Sequence, residues 1–177
     1  MMNRVLLIFF VVFSFTMNAC LQPNTKTSKA MSTPSTPGWF VDEKGDTIKT
    51  VIKSDGEWKA QLDPLAYDVL RHQGTERAFT GKYADNHKHG IYYCAGCGLS
   101  LFSSDTKFES GTGWPSFFAP IDKTHVTEIT DNTYGMSRTE VVCHKCGGHL
   151  GHVFDDGPKP TGLRYCMNSA ALSFTEK

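Results

Sequence analysis

Cys94-Ala95-Gly96-Cys97-Gly98 and Cys143-His144-Lys145-Cys146-Gly147 are two matching C-x-x-C-G units. Two thiolates at this spacing, with a glycine just after, turn tightly enough for both sulfurs to face one ion. Two such units supply the four ligands of a closed, tetrahedral zinc site. The segment between them is longer than in a compact zinc ribbon, so the metal is expected to staple two distant hairpins of one sheet system. Disulfides and a redox C-x-x-C are the alternatives, the first because an exported protein meets oxidant. Duplication of the unit, the strand-like run before each and the trailing glycine favour zinc.

Outward from the knuckles, the pattern is that of strands. IYYC, LSLF, THVTEI, RTEVVC, GHVF and LRYCMNSAALSF alternate with Gly, Asp and Asn turns. Ahead of them, Asp63-Pro64 followed by LAYDVLRHQG reads as one helix, with Asp63 as cap, Pro64 in the first turn and Gly74 as the stop. Its apolar stripe is taken as Leu65/Val69 and Ala66/Leu70. The fold class expected is mainly β, a compact domain with an N-terminal helix and a structural zinc site.

The chain has 177 residues, 40% of them hydrophobic, with a formal net charge of zero. That is room for one ordinary domain with some length to spare. No basic run points to nucleic acid. The short patch Asn86-His87-Lys88-His89 reads as a polar loop.

The start reads as an address. Met1-Met2-Asn3-Arg4 precedes an apolar run, Val5 to Met17, that has the length of a signal-peptide core and is short for a membrane span. Met17-Asn18-Ala19-Cys20 resembles a bacterial lipobox, with Met where Leu is usual. Residues 1–20 are thus expected to be a lipoprotein-type leader, with lipid on Cys20 tethering the protein to a membrane. Secretion with a free Cys20 is the alternative. Residues 21–56 have the composition of a stalk, partly ordered as a hairpin between Trp39 and Trp58 or not at all. The domain proper is placed at 57–177.

Of the six cysteines, this leaves Cys166. On a strand, Arg164, Cys166 and Asn168 share one face. A free thiol is only about 3% ionised at neutral pH, and a neighbouring cation would raise that fraction. A lone strand cysteine is more often an inert small hydrophobe. His149 and His152, three apart around Gly151, make a proton-supplying partnership the more interesting reading, because Gly151 can kink or bulge the strand.

These segments resemble the methionine-R-sulfoxide reductase B family. The matching stretches are Gly74-Thr75-Glu76, Phe79-Thr80-Gly81, Tyr93-Cys94-x-x-Cys97 and Ser110-Gly111-Thr112-Gly113-Trp114-Pro115-Ser116-Phe117. They continue with Cys143-x-x-Cys146, His149 to Pro158, and Arg164-Tyr165-Cys166-x-Asn168-Ser169. The resemblance implies two antiparallel sheets in a barrel-like domain, with one structural zinc held by Cys94, Cys97, Cys143 and Cys146. It implies that Cys166 attacks the sulfoxide sulfur of oxidised methionine in proteins and becomes a sulfenic acid. His149, His152 and Asn168 match residues that organise and protonate the sulfoxide oxygen, Arg164 one that supports the charged site, and Trp114 the wall that receives the S-methyl group.

Thr112 stands where many relatives of that family carry a second, resolving cysteine. A one-cysteine cycle regenerated by an external thioredoxin-like dithiol is therefore expected, with a Cys20–Cys166 disulfide as the fallback if Cys20 bears no lipid. The whole reading is a monomeric, exported, membrane-anchored bacterial lipoprotein that repairs oxidised proteins. Its rivals are a binding module that has lost activity and a thiol peroxidase.

Overall fold

The computed structural model describes residues 38–177. The leader, Cys20 and stalk residues 21–37 lie outside the described residues. Among those described, no helix is long and apolar enough to cross a membrane.

The described chain begins with a hairpin, β1 (Trp39–Val41) against β2 (Thr47–Lys49). It is tied to the domain by Val51 N–H donating to Lys145 O at 2.7 Å. Two helices follow where one was expected. Ser54 and Glu57 form a reciprocal capping box at the start of α1 (Asp55–Gln61), which buries Trp58. Asp63 caps α2 (Pro64–His72), accepting from the amides of Leu65 and Ala66. The helix ends one residue before the expected stop, on Gln73 in the left-handed conformation. A Cβ at Gly74 would collide with the Asp68 side chain. The buried stripe of α2 is Ala66, Val69 and Leu70, while Leu65 stays half exposed. At 100° per residue, 66, 69 and 70 fall on one face, and Leu65 lies at its edge.

Three strands form one small sheet in the order β11-β3-β4: β3 (Gly90–Cys94), β4 (Ser100–Ser103) and β11 (Leu172–Glu176). Six form the other, in the order β5-β6-β10-β9-β8-β7. These are β5 (Lys107–Phe108), β6 (Ser116–Phe117), β7 (Val126–Asp131), β8 (Arg138–Cys143), β9 (His149–Phe154) and β10 (Arg164–Met167). All pairings are antiparallel.

The expected barrel is not there. Closure would require β5 to pair with β7, and these lie at opposite ends of the six-stranded order. With two residues, β5 has too few N–H and C=O groups to complete such a ring. The sheets instead meet through side chains. Phe102 of β4 stacks on Phe117 of β6 with ring centres 4.5 Å apart, and Tyr92 of β3 meets the same ring edge-on at 5.0 Å. Leu101, Leu150, Met167 and Leu172 fill the same fully buried core.

Strand β9 is irregular where it pairs with β8. Glu140 pairs with His152 and Val141 with Gly151, but Val142 then pairs with His149, so Leu150 is bulged out of register. In a regular strand, positions three apart face opposite sides. The bulge turns His149 back onto the face of His152, and their rings meet edge-on at 5.5 Å.

Candidate active site

Strand β10 carries Cys166 between two neighbours: it pairs with Ser116 of β6 on one side and His152 of β9 on the other. The alternation along β10 buries Tyr165 and Met167 in the core and turns Arg164 and Cys166 the other way. Gly151 lets β9 approach, since a Cβ there would strike the carbonyl of Cys166 and sit 3.0 Å from Met167 Cα.

Cys166 lines a cavity of about 190 Å³ together with Trp114, His152, Asn168, Thr75, Arg138 and Phe154. Four of the residues singled out from the sequence thus come together here. His149 and Arg164 do not line it. His149 belongs to an adjoining cavity of about 620 Å³, which His152 and Arg138 share. The two imidazoles are therefore one behind the other.

Each ring is held by a carboxylate. Nδ1 of His149 lies 2.7 Å from Glu140 Oε1, with both side chains buried. Burial opposes ionisation of Glu140, but the hydrogen bond and charge of His149 and the amide of Gln73 outweigh it and hold the carboxyl below its usual range. His152 Nε2 lies 3.1 Å from Asp131 Oδ2. Burial again opposes Asp131, and the Thr133 hydroxyl and amide, His152 and Arg138 together keep it well below the ordinary value. For His152 itself, burial lowers the imidazolium's hold on its proton, and the charges of Arg138 and His149 add to this against the pull of Asp131.

Arg164 reaches Asp156 with two parallel bonds, Nε to Oδ1 at 2.8 Å and a terminal nitrogen to Oδ2 at 2.9 Å, and lies over the Phe154 ring at 4.4 Å. Its field favours the Cys166 thiolate, as expected. Burial is the larger effect, however. Despite Thr112, Arg164 and Ser116, the Cys166 thiol is raised above its ordinary value. Burial thus favours the protonated sulfur.

Thr112 Oγ1 stands 3.8 Å from Cys166 Sγ, at the end of a hydroxyl chain that runs through Ser110 to Ser116. The cavity wall is fixed from behind by Glu76. Its backbone carbonyl accepts from Trp114 Nε1 at 3.1 Å, its amide donates to Asn168 Oδ1 at 3.0 Å, and its buried carboxylate accepts from the amides of Ser169 and Ala170. Asn168 in turn donates Nδ2 to Leu150 O.

Glu76, Asp131, Arg138 and Glu140 are given no role in the sequence reading of the site. Glu140 left a trace there: it is the one acidic residue of β8, and it sits at a buried position beside Val-Val-Cys. Glu76 figures there only within the matching stretch Gly74-Thr75-Glu76, and Asp131 and Arg138 left no trace, because their roles arise between different strands and loops.

The four knuckle cysteines converge between the β3–β4 and β8–β9 hairpins, which belong to two different sheets. All four are free thiols. Cys94 and Cys146 sulfurs are 3.7 Å apart and those of Cys97 and Cys143 are 3.5 Å apart. Metal–sulfur bonds of about 2.3 Å in a tetrahedron place sulfurs about 3.8 Å apart, so the cluster could hold an ion such as zinc. The thiols crowd one another: hydrogen bonds to Cys146, Cys94 and Cys97, with burial, push Cys143 far above its usual range. A bound cation relieves that crowding.

A family model described as SelR domain matches residues 62–176. The protein named peptide methionine sulfoxide reductase MsrB of Thiobacillus denitrificans is 61% identical over 125 residues, covering 71% of this chain and 95% of that protein. Proteins of the same name from Leptospira interrogans and Methanosarcina mazei are 58% and 59% identical over 127 residues each, spanning 72% of this chain and 97% and 91% of theirs. With the matched segment holding the cavity, its cysteine and the four-thiol cluster, the chain belongs to the methionine-R-sulfoxide reductase B family.

Proposed function

We propose that this chain reduces the R epimer of methionine sulfoxide in oxidised proteins, with Cys166 as nucleophile. The observation that carries the reading is a thiol at the floor of a small cavity beside an indole and an imidazole: Cys166, Trp114 and His152. The indole offers an apolar wall for a methyl group. Arg138 offers N–H groups for the sulfoxide oxygen, and His152, whose Nε2–H is engaged by Asp131, presents Nδ1 as the nitrogen that can take up and return a proton.

The net step balances without an external proton. The Cys166 sulfur attacks the sulfoxide sulfur, the substrate S–O bond breaks, and oxygen ends bonded to Cys166 Sγ. The thiol's hydrogen finishes on that oxygen as sulfenic acid. The substrate sulfur is reduced by two electrons and the cysteine sulfur oxidised by two. A protonated resting thiol suits this, because the proton the oxygen needs is already at the site, and the imidazole of His152 can carry it across. Regeneration by a thioredoxin-like dithiol consumes two thiols and yields a disulfide, water and the free Cys166 thiol. A hydroxyl at position 112 cannot form an internal disulfide, which supports the external route.

Zinc at Cys94, Cys97, Cys143 and Cys146 would supply a structural staple and no chemistry at the cavity. We place the domain outside the cytoplasm of a bacterium, tethered through lipid on Cys20, on the strength of the apolar leader and lipobox-like sequence. The test offers R and S epimers of a sulfoxide peptide with dithiothreitol. R should be reduced and S untouched, with Cys166→Ser abolishing turnover. Reduction of S alone, or of hydrogen peroxide in preference to either epimer, overturns the reading. Mass spectrometry after one turnover separates a sulfenic acid on Cys166 from a Cys20–Cys166 disulfide, and the mass of the mature N-terminus reports lipid on Cys20.

A further inference from the structure

Away from the cavity and the four thiols, a third cluster of ligand-type groups lies where the N-terminal hairpin meets the domain. We infer that Asp42, Asp122 and His125 form a binding site for one divalent first-row cation that takes nitrogen and oxygen ligands.

Asp42 opens the tight turn between β1 and β2. Its Oδ1 accepts from the amides of Lys44 at 3.0 Å and Asp46 at 2.8 Å, which fixes the carboxylate and aims Oδ2 at His125. Asp122 caps the short 3-10 turn Lys123–His125. Its Oδ1 accepts from the amide and hydroxyl of Thr124, and its Oδ2 from the amide of Glu43 at 2.8 Å. One ligand atom from each of the three side chains lies within 4.8 Å of the other two. A cation with bonds of about 2.0–2.2 Å spaces its ligands about 3–4.4 Å apart, so modest contraction suffices.

His125 supplies the independent observation. Its side chain is 6% exposed, and Nδ1 lies 2.6 Å from the carbonyl oxygen of Ser100. A carbonyl only accepts, so Nδ1 carries the hydrogen and the neutral ring presents a lone pair at Nε2. That Nε2 is fully buried and has no hydrogen-bond partner. Its nearest acid oxygen, Asp42 Oδ2, is 3.7 Å away. A protonated Nε2 would be left without a hydrogen bond at this distance, and an unprotonated one faces two carboxylates of like polarity. A cation among the three satisfies all of them. A histidine whose other nitrogen donates to a backbone carbonyl is also the usual posture of a metal ligand. Three protein donors leave further positions for water.

Asp42 stands on the hairpin, and Asp122 and His125 on the domain, so the ion would clamp the first described residues onto the fold.

Manganese(II) is the probe, because an all-thiolate cluster holds it poorly. The full-length chain, its cysteine cluster loaded with zinc, is titrated with Mn²⁺ and followed by electron paramagnetic resonance. The expected result is one bound Mn²⁺ per chain, with Asp42→Asn and His125→Gln each weakening binding by about tenfold or more while zinc content stays unchanged. Hydrogen exchange at Thr47–Lys49 should slow on addition of Mn²⁺ to the wild type alone. The proposal is overturned if wild-type protein leaves Mn²⁺ free at millimolar concentration, or if Asp42→Asn binds it equally well. The wild-type titration decides the matter even if a variant fails to fold.

Discussion

Glu76 and Asn168 hold one another across 92 residues of sequence, through the Glu76 amide and the Asn168 side-chain oxygen at 3.0 Å. The same glutamate carries Trp114 on its carbonyl and caps the turn after β10 with its carboxylate. Two residues of the cavity wall, Trp114 and Asn168, and the turn behind them therefore share one anchor.

Glu76→Gln replaces one of two carboxylate acceptors with a donor facing a backbone N–H. It should cost about 1–3 kcal/mol of stability and raise KM for a sulfoxide peptide, because a side chain displaced from the Ser169 and Ala170 amides shifts the residue-76 backbone on which Trp114 and Asn168 rest. Urea unfolding and steady-state kinetics on the folded fraction read the two effects separately.

Glu140 and Asp131 both ionise more easily in the folded chain than in the unfolded one. Between their folded and ordinary values the unfolded chain binds more protons, so stability rises with pH there. Their contribution is complete above the ordinary carboxylate range near pH 4 and drains away as pH falls toward the folded values. Urea midpoints taken from about pH 5 to about pH 3 should drop steadily. In Glu140→Gln the drop should be shallower, from a lower starting stability.

Cys166 should be alkylated slowly at neutral pH, with a midpoint above the ordinary thiol value of about 8.5. Arg164→Gln and Thr112→Val each remove a group that favours the thiolate, so each should move the midpoint higher still. Peptide-resolved mass spectrometry of iodoacetamide labelling follows Cys166 apart from the other thiols.

His152 should titrate below the ordinary histidine value of about 6.5. Because Asp131 pulls the other way, Asp131→Asn should lower the midpoint further. Imidazole resonances followed by NMR across the titration give the answer, and an upward shift in the variant would contradict the assignment of Asp131 as its partner.

Stripping the metal proposed for the four cysteines should unfold the junction between the β3–β4 and β8–β9 hairpins. Apparent metal contributions on the order of 10 kcal/mol exceed a typical domain's margin, so loss of cooperative melting is expected. Calorimetry before and after chelation measures it, and zinc should restore the transition.

The mainly β character, the position of α2 and the pairing of the cysteine knuckles were legible in the chain itself. Each rests on local rules: alternation along a strand, an aspartate before a proline, two thiols with a glycine behind them. The parity of Arg164 and Cys166 was readable for the same reason. That His149 and His152 share a face was not, since spacing by three on a strand argues the opposite and only the bulge at Leu150 reverses it. Nor could local sequence show that burial outweighs Arg164 at the Cys166 thiol, that Glu76 underlies the cavity, or that the sheets stay open. Those outcomes depend on which distant segments come to lie against one another, and desolvation and hydrogen bonding act through that proximity whatever the spacing along the chain.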